Sequence, residues 1–277
     1  MTDSRASVTA APNAGAVPVA EGAPAMVVVR ASVAPLHAEP RVSSPQISQR
    51  LAGHAVRVQR VDGDWLHVRG EDDYDGWVHR GYVGAEPSGG AAPAERRRVS
   101  LGCVVREGTS GATRALPLGA WLRAGERVES GIAVDEAERR RLFPRVPSAV
   151  AATAVERFSG TPYQWGGVTP WGADCSGLVQ TAFWVHGVSL PRDAWQQAEV
   201  GVEAGRDPTA TEPGDLLFFS ERTDGRITHV GIALGDARMV HLALGRGGYG
   251  VERLDATDDA YVTALVGRFV TARRVII

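Results

Sequence analysis

One cysteine and two histidines are placed where they could carry out nucleophilic chemistry. Cys175 lies in "GADCSGLVQTAFWVHG" (residues 172–187), at the start of a predicted helix. Unsatisfied backbone N–H groups and the positive end of the helix dipole favour a thiolate there, and the same N–H groups can bind an oxyanion. Considered alone, Cys175 is equally well interpreted as a small packed residue.

The two histidines lie on two strands that the sequence predicts to form a hairpin. His229 is in "ITHVGIALG" and His241 is in "ARMVHLALG", with the short turn "GDAR" between the strands. Such a hairpin places the two side chains next to each other. A thiol nucleophile needs a base, and the base needs a group that orients it, so the histidines favour a nucleophilic Cys175. We expect His241 to accept a hydrogen bond from Nδ1–H of His229 and fix its tautomer.

A zinc site is the alternative interpretation of Cys175, His229 and His241, because these residue types are zinc ligands. Three protein ligands would make it a catalytic zinc, and no other metal-ligand spacing in the chain supports one. We therefore predict no metal and no other cofactor. The second cysteine, Cys103, belongs to no motif and is predicted to be buried.

The elements that must position these residues follow an α+β order. "SAVAATAVERFSG" predicts a helix that stops at Gly160, and "DCSGLVQTAFWVHG" predicts a helix with Asp174 as N-cap and Gly187 as C-cap. Four predicted strands follow: "GDLLFFS", "THVGIALG", "RMVHLALG" and "ALVGRFV". Together they predict a domain over residues 146–277.

Composition divides the rest of the chain. Residues 1–24 are rich in Ala, Pro and Gly and are predicted to be a flexible segment. Short alternating runs over residues 25–86 predict a small β-barrel, and less regular runs over residues 95–145 predict a second one. "PSGGAAPAE" (residues 87–95) is typical of a linker.

Composition also excludes several function classes for this chain of 277 residues. The net charge is -2, and the two runs of three arginines have acidic neighbours, so we expect no nucleic-acid binding. Two cysteines cannot form a disulfide framework, which favours a reducing compartment. The sequence shows neither a secretory signal nor an apolar stretch that could span a membrane, so a cytoplasmic location is expected.

Three separated motifs resemble those of the NlpC/P60 cysteine peptidases of bacterial cell-wall metabolism. They are "TPYQWGGVTPWGADCSGLVQ", "THVGIALG" and "MVHLALG", in that order. The resemblance implies a papain-like α+β fold, with Cys175 as nucleophile, His229 as general base and His241 as the orienting residue. Tyr163, in "PYQWGG", matches a family tyrosine that lines the site near the oxyanion.

The N-terminal block resembles bacterial SH3 domains through "LHAEP", "GDWLHVR" and "DGWVHRGYV". Two such domains before a catalytic domain resemble the γ-D-glutamyl-L-diamino-acid endopeptidases that recycle murein peptides. In that subgroup the first SH3 domain covers one end of the groove, so that only peptides with a free N-terminal L-Ala fit. The implied partner is therefore a murein peptide, L-Ala-γ-D-Glu-diamino acid.

The same resemblance implies five substrate contacts. A free α-amine is cationic near neutral pH and needs acidic or acceptor partners when it is partly desolvated. The implied contacts are Glu39 in "HAEP", Tyr74 in "EDDYDGW", Asp174 and Ser176 beside the nucleophile, and Asp193 in "LPRDAWQQ".

Two other functions remain open from the sequence. One is a wall-degrading endopeptidase that acts on intact, glycan-linked stems. The other is a non-catalytic murein-binding protein with an inert C-terminal domain, although all three catalytic-type residues are present. The sequence determines neither the oligomeric state nor whether the third substrate residue is diaminopimelate or lysine.

Overall fold

The computed structural model describes residues 26–85, 97–108 and 110–275. The predicted flexible segment (1–24) and the predicted linker (87–95) lie outside the described residues. In the part of the chain that the structure describes, helices and antiparallel sheets are mixed, and strands predominate. The expectation of a mixed helix-and-sheet fold is therefore confirmed.

The first domain is one antiparallel sheet of seven strands in the order β3-β2-β6-β5-β4-β1-β7. The strands are β1 Met26–Val29, β2 Val33–His37, β3 Gln46–Leu51, β4 Ala55–Asp62, β5 Trp65–Arg69, β6 Asp75–His79 and β7 Val83–Ala85. Alternating apolar residues such as Leu66 and Val68 point into a common core. Because β3 and β7 are both edge strands, the described residues form no closed barrel and the predicted barrel is not confirmed.

The second block contains a three-stranded sheet in the order β10-β8-β9, followed by a short helix. Its elements are β8 Arg98–Glu107, β9 Thr113–Leu116, β10 Glu126–Asp135 and α1 Glu136–Leu142. No closed barrel is found among its described residues either. Val99, Leu118 and Phe143 from this block join the same apolar cluster as the helices of the C-terminal domain, so the block does not have a core of its own on that side.

Two helices of the C-terminal domain begin and end close to where the sequence predicts. α2 Pro147–Phe158 stops just before Gly160, whose φ of 76° is one that glycine adopts readily. α3 Cys175–Val185 has Asp174 as N-cap, because the Asp174 carboxylate accepts from the N–H of Gly177. Its C-cap is His186, and the predicted cap Gly187 follows at a φ of 78°.

The C-terminal sheet has six antiparallel strands in the order β13-β18-β14-β15-β16-β17, beside the two-stranded ribbon β11-β12. The ribbon strands are β11 Val168–Thr169 and β12 Gly172–Ala173, and the sheet strands are β13 Val202–Gly205, β14 Leu216–Phe219, β15 His229–Gly235, β16 Arg238–Ala243, β17 Gly248–Arg253 and β18 Phe269–Arg274. The short helix α4 Ala194–Gln197 precedes β13, and α5 Ala260–Val266 precedes β18. The predicted hairpin is present as β15 and β16.

One strand prediction is wrong in its first half. "ALVGRFV" begins inside α5 and becomes strand only at Phe269. The helix starts upstream, where the Asp259 carboxylate caps it by accepting from the N–H groups of Tyr261 and Val262. Gly267 then ends the helix before the strand begins.

The described domains are joined by direct contacts. The Trp121 N–H donates to the Ala52 carbonyl at 2.8 Å, and the Trp121 ring packs edge-on against Trp184 of α3 with 5.8 Å between ring centroids. Cys103 is buried, as predicted. None of the described helices is both long and apolar enough to cross a membrane.

The arginine run at residues 139–141 has two exposed side chains and one buried side chain. Arg140 and Arg141 are exposed and pair with Glu136 and Glu138. Arg139 is buried and donates to the Val185 carbonyl at 2.6 Å, at the last residue of α3. It satisfies a helix-end carbonyl, which is a structural role that the run does not reveal.

Candidate active site

The predicted nucleophile lies in a cavity of about 800 Å³ between the first domain and the C-terminal domain. Most of the predicted site residues line it: Tyr74, Tyr163, Asp174, Cys175, Ser176, Asp193 and His229. One wall therefore comes from the first domain and the others from the C-terminal domain. The apolar residues Ile47, Trp165 and Trp195 complete the walls near the first domain and α4.

Cys175 is the first residue of α3 and is 7% exposed. The backbone N–H groups of Ser176 and Val230 act on its sulfur, and each favours the thiolate. Val230 follows His229 in β15, so the sulfur lies against the strand that carries the predicted base. The start of α3 thus offers both a sulfur and N–H donors at the cavity wall.

The protonation of Cys175 differs from the expectation of a helix-start thiolate. Burial, reinforced by the Asp174 carboxylate, raises the pKa of the Cys175 thiol to about 12, although the N–H groups of Val230 and Ser176 oppose the shift. Desolvation therefore outweighs the helix dipole here. Burial, followed by the influence of His241, lowers the pKa of His229 to about 3, so both groups are neutral near pH 7.

His229 and His241 are brought together on adjacent strands as predicted. His229 Nε2 lies 2.8 Å from His241 Nδ1. This corrects the expectation that His229 would use Nδ1 toward His241. Because Nε2 is engaged with His241, Nδ1 of His229 is the ring nitrogen left for the thiol.

Behind His241 lies a carboxylate that the sequence analysis missed. His241 Nε2 is 3.3 Å from Oε1 of Glu252, which is 5% exposed, and Arg246 pairs with both oxygens of that carboxylate at 2.8 Å. Burial alone would raise the pKa of Glu252, but hydrogen bonds from His241 and Arg246 lower it to about 2. The available signal was strand alternation, which puts Glu252 on the same face as Gly250, the partner of His241.

Asp174 is held by a second residue that the sequence analysis missed. Arg192 is 1% exposed and donates to both Asp174 oxygens, at 3.0 and 2.6 Å. Arg192 also donates to the Ser176 hydroxyl at 2.8 Å and to the Ser48 hydroxyl of β3 at 3.2 Å. Asp174 and Ser176 thus line the cavity and also belong to one buried polar network with Arg192. The sequence around Arg192, "LPRDAW", contains no pattern that distinguishes a buried arginine from an exposed one.

Tyr74 and Asp193, predicted substrate contacts from two different domains, meet in the cavity. The Tyr74 hydroxyl donates to Asp193 Oδ1 at 3.2 Å. Burial, followed by the charge of Asp193, raises the pKa of Tyr74 to about 12, so the phenol keeps its proton. Burial, followed by Cys175, also raises the pKa of Tyr163, which lines the cavity.

Glu39 is the predicted substrate contact that the structure does not bring to the site. It is not among the residues that line the cavity, and its carboxylate pairs with Arg41 at 2.8 Å. Its side chain is 55% exposed. Among the described residues, no group of three or more His, Cys, Asp or Glu side chains could hold a metal ion.

The fold and the site define a class of α+β protein. In this class a cysteine at the start of a helix and a histidine on a strand hairpin line the same cavity. Residues 160–266 match the NlpC/P60 family, and residues 32–84 match the bacterial SH3 domain. The chain therefore carries an NlpC/P60 domain preceded by a bacterial SH3 domain, which confirms the resemblance seen in the sequence.

Relatives with peptidase names match this chain over different lengths. A γ-D-glutamyl-L-lysine dipeptidyl-peptidase of Bacillus subtilis is 41% identical over 105 residues, which are 38% of this chain and 34% of that protein. Dipeptidyl-peptidase 6 of Lysinibacillus sphaericus is 27% identical over 267 residues, covering 84% of this chain and 93% of that protein. This chain spans only about a third of the first of these relatives and a quarter of the corresponding Bacillus cereus enzyme.

Solved structures show the same fold over most of the chain. An NlpC/P60 family protein from Bacillus cereus has a TM-score of 0.74 at 18% identity and covers 91% of this chain and 100% of its own. An NlpC/P60 endopeptidase from Photobacterium damselae has a TM-score of 0.63 at 14% identity, covering 90% of this chain and 70% of its own. At these identities the likeness shows the fold alone.

Proposed function

We propose that the protein is a cysteine peptidase that hydrolyses the bond between γ-D-Glu and a diamino acid in murein peptides with a free N-terminal L-Ala. The observation that carries the proposal is the cavity in which Cys175 and His229 share walls with Asp193 and Tyr74. Relatives named γ-D-glutamyl-L-lysine dipeptidyl-peptidase support this substrate class. Such a peptide is a released wall fragment, so the protein would act in murein peptide recycling.

Asp193 is the carboxylate that we assign to the substrate amine. Of the other acidic side chains that line the cavity in the described part of the chain, Asp174 pairs with Arg192 and Glu221 pairs with Arg268. Asp193 makes no ion pair in those residues, so its negative charge is available to a cation. A charge-assisted hydrogen bond to the amine would contribute about 1.5–3 kcal/mol.

The proposed reaction is acyl transfer through Cys175. The sulfur attacks the γ-carbonyl carbon of D-Glu as the thiol proton passes to Nδ1 of His229, and N–H groups at the start of α3 hold the oxyanion. The C–N bond then breaks, and His229 returns its proton to the leaving amine. Water activated by His229 hydrolyses the thioester and restores the thiol.

In this proposal, Tyr163 lines the site near the oxyanion, and Asp174 and Ser176 form the wall beside the nucleophile. The SH3-like barrel predicted for residues 25–86 closes the amine end through Tyr74, and the papain-like domain over 146–277 carries the chemistry. The second SH3-like domain, predicted over 95–145, contacts the C-terminal end of α3 through Arg139 and Trp121. Glu39 is left out of the proposed subsite because its side chain lies outside the cavity.

The proposal is tested by mass spectrometry of digests of L-Ala-γ-D-Glu-diaminopimelate and its lysine analogue. The wild type should release L-Ala-γ-D-Glu, and Cys175→Ala should release none while still binding peptide. Turnover by Cys175→Ala at the wild-type rate would exclude Cys175 as nucleophile.

The assigned amine site is tested with the same peptide after N-acetylation. Acetylation should abolish cleavage, and Asp193→Asn should raise KM for the free peptide about tenfold to a hundredfold, because one charge-assisted hydrogen bond is lost. Asn also caps helices well, so α4 keeps its N-cap in this variant. Equal cleavage of acetylated and free peptide would favour a wall-degrading endopeptidase instead.

A further inference from the structure

We propose that Glu252 is a positioning residue that sets the tautomer of both histidines and so prepares His229 to accept the thiol proton. The inference rests on the proposed function of Cys175 and His229. Glu252 lies outside the cavity wall and reaches the site only through His241.

The tautomers follow from the order of the contacts. The Glu252 carboxylate accepts only, because it is ionised, so the proton of His241 must be on Nε2, which faces Glu252 at 3.3 Å. Nδ1 of His241 is then an acceptor, and the proton of His229 must be on Nε2, 2.8 Å away. That leaves Nδ1 of His229 unprotonated, which is what a general base for the Cys175 thiol requires.

The carboxylate also supplies the charge that a His–His pair lacks. When the thiol proton moves to His229, the ring becomes an imidazolium hydrogen-bonded to a neutral imidazole. The negative charge of Glu252, transmitted through His241, then stabilises that cation as a directly bonded carboxylate would. Arg246 donates to both Glu252 oxygens at 2.8 Å, and these two hydrogen bonds fix the carboxylate in place.

Gly250 leaves room for the contact between His241 and Glu252. Gly250 lies directly opposite His241 in the β16–β17 pairing, and Glu252 is two residues farther on the same face. A Cβ at Gly250 would lie 3.2 Å from Oε1 of Glu252 and 3.4 Å from Nε2 of His241. A side chain there would crowd the hydrogen bond, so the glycine keeps the approach from His241 to Glu252 open.

The test compares Glu252→Gln and Glu252→Ala with the matched control Asp259→Asn. The control removes the other carboxylate on Arg246, does not touch His241, and keeps an N-cap for α5. We expect both Glu252 variants to lower kcat at least tenfold with KM changed less than twofold, the loss being smaller for Gln, and the control to keep its kcat. Unchanged kcat in both Glu252 variants would overturn the proposal.

A second readout does not depend on peptide hydrolysis. ¹⁵N NMR of histidine-labelled protein, assigned with His241→Asn, should show both rings protonated on Nε2 in the wild type. Glu252→Ala should mix the tautomers of His241, and Asp259→Asn should not. If the wild type cleaves no γ-D-Glu peptide but the tautomers shift, the proposed function fails and the role of Glu252 stands; unshifted tautomers in a folded Glu252→Ala protein would refute that role.

Discussion

At the scale of single residues, the site depends on neutral groups rather than on a preformed ion pair. Burial raises the pKa of Cys175 and lowers that of His229, so the thiol and the imidazole are both uncharged near pH 7. In the proposed reaction the nucleophile is therefore generated only when its proton moves to His229. This arrangement keeps a charged sulfur out of a buried position until substrate is present.

The raised thiol pKa predicts how Cys175 reacts with iodoacetamide. Because alkylation requires the thiolate, its rate should rise with pH from 7 to 10 without reaching a plateau. Mass spectrometry of time courses at each pH measures the rate, and Cys175→Ser gives the background from the buried Cys103. A plateau below pH 8 would show instead that the thiolate is the resting form.

At the scale of elements, α3 is anchored by a buried ion pair at its first turn. Asp174 caps the helix, and the guanidinium of Arg192 holds the cap with side-chain exposures of 1% for Arg192 and 9% for Asp174. The proposed nucleophile, Cys175, is the next residue, so the position of its sulfur depends on this pair. The pair also reaches β3 through Ser48.

The ion pair predicts a large loss of stability on truncation. Arg192→Met should lower the free energy of unfolding by about 3–5 kcal/mol, because it leaves the buried Asp174 carboxylate without its charged partner. Arg206→Met is the matched control: it removes an exposed pair with Glu203 and should cost less than about 1 kcal/mol. Urea unfolding followed by tryptophan fluorescence compares the two, and equal shifts in midpoint would contradict the assigned role of Arg192.

The sequence predicts the elements around the proposed nucleophile better than the buried side chains that hold the site together. Asp174 and the hairpin histidines follow from capping and strand patterns, which are local. Arg192 could not be selected, because its contact with Ser48 of β3 is distant in sequence. For Glu252 the only signal was strand alternation, which places it on the same face as Gly250, the partner of His241. The expectation that the helix start favours a Cys175 thiolate was wrong for a related reason. Desolvation raises the thiol pKa, and it depends on all the residues that surround the sulfur.

At the scale of the whole molecule, buried histidines connect stability to pH. Burial lowers the pKa of His54, whose ring bonds the Gly119 carbonyl, and that of His186, whose ring bonds the Pro144 carbonyl. Burial lowers the pKa of His229 as well. These three residues lie in different parts of the fold, so the effect on stability is global.

The sign of the pH effect follows from proton binding. Below pH 6.5, the ordinary value for histidine, the unfolded chain binds protons that the folded chain does not, so stability falls as pH falls. We expect Tm to decrease from pH 7 to pH 5, and His54→Gln to make the decrease shallower. Differential scanning calorimetry at fixed ionic strength measures this, and a Tm that stays constant or rises toward pH 5 would contradict it.

The contacts between the first domain and the C-terminal domain limit how this protein can be recombined. The Ser48 hydroxyl accepts a hydrogen bond from Arg192 at 3.2 Å, and the Gln49 side-chain oxygen accepts one from the Val168 N–H at 3.1 Å. A chimera that replaced the first domain with another of the same fold would also replace part of the cavity wall around Cys175, the proposed nucleophile. We therefore expect the first domain to be a fixed part of the proposed catalytic site, so grafting experiments should transfer both domains together.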